Sequence, residues 1–143
     1  MNNRLSLASK SYDDLKEQFV KFISNPEAKL SKISSLQVHP SEGHILLIEA
    51  FGRLLEFRFS LVFQSDIEVL GQSTVFYIQN PDNYLRTETP VASIWFDSLG
   101  NVKDTPTSFS SHTTSDERSL FLFVNTTLGS FLNTQEFSPR EHG

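Results

Sequence analysis

The side chains able to do chemistry are few and scattered. The histidines are His39, His44, His112 and His142. His39, Glu42 and His44 surround one turn, a grouping that could collect a metal ion. Catalytic zinc takes three protein ligands from a fixed scaffold, and loop polarity accounts for this trio equally well. His112 stands close before Asp116, which suggests a base and the carboxylate that orients it, among Ser110, Ser111 and Ser115. A G-x-S-x-G elbow to present a serine nucleophile is absent. The glycines are isolated and none precedes Lys-Ser or Lys-Thr, so there is no P-loop, and no G-x-G-x-x-G either. The chain has no cysteine, which removes disulfides, thiolate metal sites and cysteine nucleophiles. The sequence thus nominates no catalytic residue, no metal ligand and no cofactor.

What remains is a charged cluster that depends on strand register. In Glu56–Phe63 the odd positions Phe57, Phe59, Leu61 and Phe63 are apolar, while the even ones include Glu56, Arg58 and Ser60. Successive strand residues face opposite sides, so the odd set faces the core. A two-residue loop at Phe51-Gly52 pairs Ala50 with Arg53, Ile48 with Leu55 and Leu46 with Phe57. The other face then gathers Glu49, Glu56 and Arg58. A three-residue loop after Phe63 pairs Phe63 with Ile67, Leu61 with Val69 and Phe59 with Gly71, and adds Glu68 to that face. A solvated sheet face with a cross-strand Glu–Arg pair, worth roughly 0.2–1 kcal/mol, explains such a cluster by itself. The functional reading is an acidic patch that receives a basic partner. That face also carries apolar residues: Ile45 and Leu47, Phe76 and Ile78, Val91 and Trp95 fall opposite the core positions of their strands. A sheet wetted on one side alternates more cleanly, so part of this face is covered, by the chain itself or by another molecule. The candidate binding residues are Glu49, Glu56, Arg58, Glu68 and Trp95.

The elements that must position these residues follow from pattern. A helix is expected to start at Ser11 as cap, with Asp13 and Asp14 at the positive end of its dipole and Tyr12, Leu15, Phe19, Phe22 and Ile23 as its apolar stripe. It should stop at Asn25-Pro26, with a second short helix carrying Leu30 and Ile33. Strands are expected at Leu36–His39, His44–Ala50, Leu54–Phe63, Ile67–Ile78, Val91–Asp97 and a short one beyond Gly100. A polar loop is expected from Asn80 to Pro90. Thr114 to Glu117 reads as a capping box ahead of Leu120, Val124, Leu128 and Phe131, so the last element is read as a helix. A buried strand over Leu120–Val124 is the alternative.

The result is a single α+β domain over residues 1–143, with 1–10 and 134–143 as flexible ends: an N-terminal helix pair, a mostly antiparallel five- to six-stranded meander and a C-terminal helix. If Arg4–Ala8 is a further strand, this order is compatible with helix-grip folds, which clasp a long helix in a curved sheet around an apolar cavity.

The chain has 143 residues, 38% hydrophobic and 20% charged, with 13 phenylalanines, enough apolar material for one core. Formal net charge is −5, and the first 34 residues run mildly basic while the rest is acidic. This argues against nucleic acid as the main ligand. No signal peptide or membrane span is apparent, so a cytoplasmic location is expected. Two function classes follow. The first is a small non-enzymatic interaction protein, of inhibitor, immunity or accessory type, docking a protein partner or a second copy through its acidic or apolar sheet face. The alternative is a module that binds an apolar small molecule, with Arg58 or Tyr77 at the mouth of a cavity of roughly 300 Å³ or more. An enzyme is less favoured than either.

Overall fold

Alternation of apolar and polar residues along the middle of the chain produces, among the described residues, seven strands in one curled antiparallel meander, whose spatial order is the chain order. The computed structural model describes residues 3–24, 26, 30, 31, 33, 35–42, 45–108 and 112–139. The strands are β1 Leu36–Glu42, β2 Ile45–Ala50, β3 Arg53–Phe63, β4 Val69–Gln79, β5 Thr87–Phe96, β6 Asn101–Lys103 and β7 His112–Thr113. They are flanked by α1 Asn3–Ile23 and α2 Glu117–Leu132, and a short 3-10 turn, Gln135–Phe137, follows. No helix among the described residues is long and apolar enough to cross a membrane.

The α+β class and the antiparallel meander are as expected, but three details differ. First, α1 starts at Asn3 and not at Ser11, and Arg4–Ala8 is helical where a strand would have completed a helix-grip order. Ser11 is half-buried within the stripe that runs through Leu7, Leu15 and Phe19, so a small polar residue on the packed face looked like a cap. Arg4 fastens the first turn to the β3–β4 loop through Asp66 at 3.2 Å and lies over the Phe63 ring. Second, the described residues show one N-terminal helix. Most of the expected second one falls on residues outside those described, although Leu30 is buried in the core and Ile33 packs against it. Third, the described residues form seven strands rather than five or six. The added one, β7, is two residues long and pairs Asn101 with Thr113 and Val102 with His112. Open backbone groups on β6 recruit it, and no hydrophobic pattern announces it.

The register prediction held at the first hairpin and moved at the second. Leu46 pairs with Phe57, Ile48 with Leu55 and Ala50 with Arg53. The two loop residues, Phe51 and Gly52, both have positive φ, 52° and 77°, the geometry of a type I′ turn. Phe63, however, pairs with Val69, Leu61 with Gly71 and Phe59 with Ser73. The loop therefore holds residues 64–68. It is closed by the Glu68 carbonyl accepting from the Gln64 and Ser65 amides, while the Ser65 hydroxyl accepts from the Ile67 amide. A shift of two residues keeps every side chain on its face.

α1 and α2 pack on the face that carries Leu46, Ile48, Leu55, Phe57, Val75, Ile94 and Phe96, all buried. Phe57 meets Phe123 of α2 edge-on at 5.9 Å, and Phe19 of α1 meets Phe59 at 5.7 Å. Of the expected core set, Phe57 is buried. Phe59, Leu61 and Phe63 are partly buried against the core, under the N-terminal half of α1, where Tyr12 meets Phe59 and Arg4 lies over Phe63. Gly71 lies under Phe96: a Cβ there would come within 2.2 Å of the ring, so the glycine is what lets Phe96 bury completely. The C-terminal helix is α2, and the expected stripe Leu120, Val124, Leu128 and Phe131 is buried. Its N-cap is Asp116, which accepts from the Arg118 amide at 2.9 Å. Thr114 is occupied elsewhere, donating to Gln18 of α1 at 2.6 Å.

Candidate functional site

The face of the sheet turned away from the helices holds the charged cluster. Cross-strand pairing sets Leu47 beside Glu56 and Phe76, and Glu49 beside Leu54 and Ile78. Side chains from these rows, with Ile45 and His39, line a groove of about 630 Å³. Pro81, Asp82 and Arg86 of the β4–β5 loop form its other wall. Its base is aliphatic, and its charged lining is Glu49, Glu56 and Asp82 against Arg86, with His39 bonded to Glu49 at 3.3 Å. The same loop carries Tyr84, 94% exposed, and Leu85, also exposed.

Glu56 is 9% exposed, a carboxylate close to burial on a face that neither α1 nor α2 covers. Its charge is met by Arg58, whose Nε donates to it at 2.6 Å. Arg58 also donates to Glu88 at 2.6 Å, and its guanidinium lies 4.6 Å from the centre of the Phe76 ring. Arg86 closes the ring, donating to Glu88 at 3.1 Å and standing 4.0 Å from Glu56. A further bond from Arg86 to the Pro81 carbonyl holds the loop down. Two carboxylates and two guanidiniums thus form an alternating square that links β3, the β4–β5 loop and the start of β5. The square is electrically balanced, so the negative charge left to face a partner is that of Glu49 and Asp82.

Electrostatics follow the geometry. The bond to Arg58, reinforced by Arg86, draws the Glu88 carboxyl down to about 2 from 4.5. Hydrogen bonding to Glu88, the largest cause, raises the Arg58 guanidinium above its ordinary value, against an opposing effect of burial. A depressed carboxylate pKa contributes stability above the unfolded value and loses it as pH falls through the folded one. The contribution of Glu88 should therefore be complete above about 4.5 and fade toward about 2. NMR titration of the Glu88 carboxyl carbon is expected to give a midpoint near 2, and Arg58→Met should return it toward 4.5. An ordinary midpoint in the unmodified protein would show that the Arg58–Glu88 bond does not persist in solution.

The expected site residues divide. Glu49, Glu56 and Arg58 share one region. Glu68 does not join them: the longer loop leaves it exposed beyond the end of the sheet. Trp95 is on the same face but further along β5, opposite Gln72 and Lys103, and is only partly buried. Arg86, Glu88 and Asp82 were missed. They fall in a stretch read as loop because of Pro81 and Pro90, whereas β5 begins at Thr87 and tolerates Pro90 where the β4–β5 register shifts. The alternation Arg86, Glu88, Pro90 was the available signal.

The other candidate constellations resolve differently. In the turn, His39 bonds Glu49, while His44 and the Glu42 side chain lie outside the described residues. His112 does not reach for Asp116 but bonds the Ser119 hydroxyl through Nδ1 at 2.7 Å. Ser119 is fully buried and donates its proton to the Thr113 carbonyl. Nδ1 must then carry a hydrogen and donate, which is the reverse of a base activating a serine. Asp116 is held below its ordinary value by its hydrogen bonds to Arg118. At the far end of the sheet, Tyr77 and Arg53 both donate to Glu136 at 2.8 Å, which pins the 3-10 turn to the β2–β3 end. The Tyr77 hydroxyl is thereby used, and burial together with Glu136 raises its pKa. No family model matches the chain, and the searches of curated proteins and of solved structures return no match.

Proposed function

We propose that this protein is a non-enzymatic interaction module that docks a basic, partly apolar segment of a protein partner on the outer face of its sheet. The observation that carries the reading is the groove beside Tyr84. Ile45, Leu47 and Leu54 are only partly buried although α1 and α2 are available to cover them, and a nearly bare tyrosine stands on the adjoining loop. Aromatic side chains of this kind anchor protein interfaces, and lysine or arginine stems lie readily on aliphatic surface with their heads beside carboxylates. Glu49 and Asp82 supply those carboxylates. The square of Glu56, Arg58, Arg86 and Glu88 supports the reading by fixing the loop, so that little ordering remains to be done on binding.

Site-specific photo-crosslinking tests it. A photoreactive residue at Leu47 should capture a protein in the native cell, and the crosslinked peptide should carry lysine or arginine. The same residue at Asp13, on the exposed face of α1, should not capture that protein. Equal capture from both positions, or a crosslinked peptide that is acidic, would remove the outer-face assignment.

A further inference from the structure

Strand β5 is paired along its length on one side and only near its end on the other. Toward β4 its partners run from Gln79, opposite Thr87, to Gly71, opposite Phe96. Toward β6 the paired residues are Trp95, with Lys103, and Phe96, with Val102. Among the described residues, 87–94 is therefore an open edge, and its first four residues, Thr87 to Pro90, are exposed. Strand alternation decides which backbone groups point outward. The Asp97 amide donates to the Asn101 carbonyl of β6, so Asp97, Trp95 and, two residues earlier, Ser93 turn their N–H and C=O away from β4. The register shift opposite Val75 and Phe76 leaves Val91 as an extra residue, and before it the outward positions are Pro90 and Glu88. Pro90 has no N–H, so the open pairs of donor and acceptor belong to Glu88 and Ser93.

An open edge is a template for another strand, but the irregularities of β5 restrict which strand fits. A regular strand would aim a carbonyl at Pro90, where no N–H answers, and would have no extra residue to face Val91. A second β5 running antiparallel carries both features at facing positions. With Glu88 opposite Ser93 of the copy, those residues exchange both of their hydrogen bonds, and Pro90 falls opposite Val91, where the ladder is interrupted in both strands. The open stretch is also matched end to end in this register. Thr87 faces Ile94, and beyond them Lys103 fills the place beside Trp95 while the chain of the copy has left its strand at Arg86. A cleft of about 520 Å³ runs along the same edge between β5 and α2, lined by Ala92, Ile94, Leu122 and Thr126 among others. Leu122 is 44% exposed there. The strand of the copy extends the floor of that cleft and covers Leu122.

We propose that the protein forms a two-fold dimer in which the open edges of two β5 strands pair antiparallel, Glu88 with Ser93, and join the two sheets into one. The contact uses backbone groups of β5 and the cleft beside α2, not the aliphatic base of the outer groove at Ile45 and Leu47. The Glu88 side chain keeps its bonds to Arg58 and Arg86, because only its backbone enters the new ladder.

Sedimentation velocity of the full chain at micromolar concentrations should show twice the mass of one chain. Leu122→Lys places a charge in the cleft from an exposed position and should weaken association by about tenfold or more. Ile67→Lys makes the same charge change on the 64–68 loop, at a residue 87% exposed, and should leave the dimer intact. Amide hydrogen exchange locates the contact. The Glu88 and Ser93 amides should exchange about tenfold or more slowly in the dimer than in the Leu122→Lys monomer. Ser93→Pro removes an N–H that β4 does not use and should give a monomer that circular dichroism shows to be folded. Ser93→Ala loses the hydroxyl contacts to Gln72 and Thr74 but keeps the N–H, and should remain a dimer. Three results would overturn the proposal: a monomer at these concentrations, a dimer whose Glu88 and Ser93 amides exchange as fast as in the monomer, or a dimer on which Leu122→Lys and Ile67→Lys act alike.

Discussion

Phe57→Ala is expected to lower the free energy of unfolding by about 3–5 kcal/mol, the cost of emptying a buried phenylalanine site. Phe57 is 1% exposed, between Leu46 and Val75 on the neighbouring strands, and packs edge-on against Phe123 of α2. Three elements therefore lose contacts at once, and none can collapse into the gap without moving a strand. Phe59→Ala should cost less, because Phe59 is only partly buried although it touches Tyr12, Phe19 and Phe96. Chemical denaturation at constant m-value measures both. A Phe57→Ala loss below about 1 kcal/mol would mean that the inner face of β3 is misassigned.

The second large effect is expected at Glu56. Glu56→Gln keeps the shape and removes the charge, leaving Arg58 with Glu88 alone. Breaking a fully buried ion pair costs more than losing one charged hydrogen bond, but Arg58 keeps a partner and its side chain is 32% exposed. The expected loss is about 1.5–3 kcal/mol, the range for a hydrogen bond to a charged group. Glu49→Gln is expected to be nearly neutral, since the Glu49 and His39 side chains are close to half exposed. Comparable small losses for both would show that Glu56 is simply a surface residue. Acidic residues on one strand face thus have separate jobs: Glu56 holds the loop, and Glu49 remains available.

How much of this was legible in the sequence depended on the range of the cause. The Phe51-Gly52 hairpin could be read because a two-residue loop leaves one register, and that register alone places Glu49, Glu56 and Arg58 on a common face. The helical reading of α2 also held, because four apolar residues at helical spacing outweigh Thr126, Thr127 and Gly129. Glu68 was misplaced because the length of the 64–68 loop is decided by hydrogen bonds from Gln64 and Ser65 to one carbonyl, which composition does not reveal. Arg86 and Glu88 were missed because their partners are some thirty residues away on β3, and a proline at each side made the segment look irregular. The open edge of β5 gave no signal at all, since it exists only because β6 pairs with Trp95 and Phe96 and no further.

The central claim is that the groove beside Glu49, Asp82 and Tyr84 receives a basic partner, and the association rate of the captured partner tests it most directly. Charged rims act on association, and their effect is screened over a Debye length of about 8 Å at physiological ionic strength. Glu49→Lys with Asp82→Lys should slow association and flatten its salt dependence, with little change in stability. Asp13→Lys with Asp14→Lys makes the same charge change on the exposed side of α1 and should leave the rate almost unaltered. Equal slowing by both pairs would reduce the effect to net charge and contradict the assignment of the outer face.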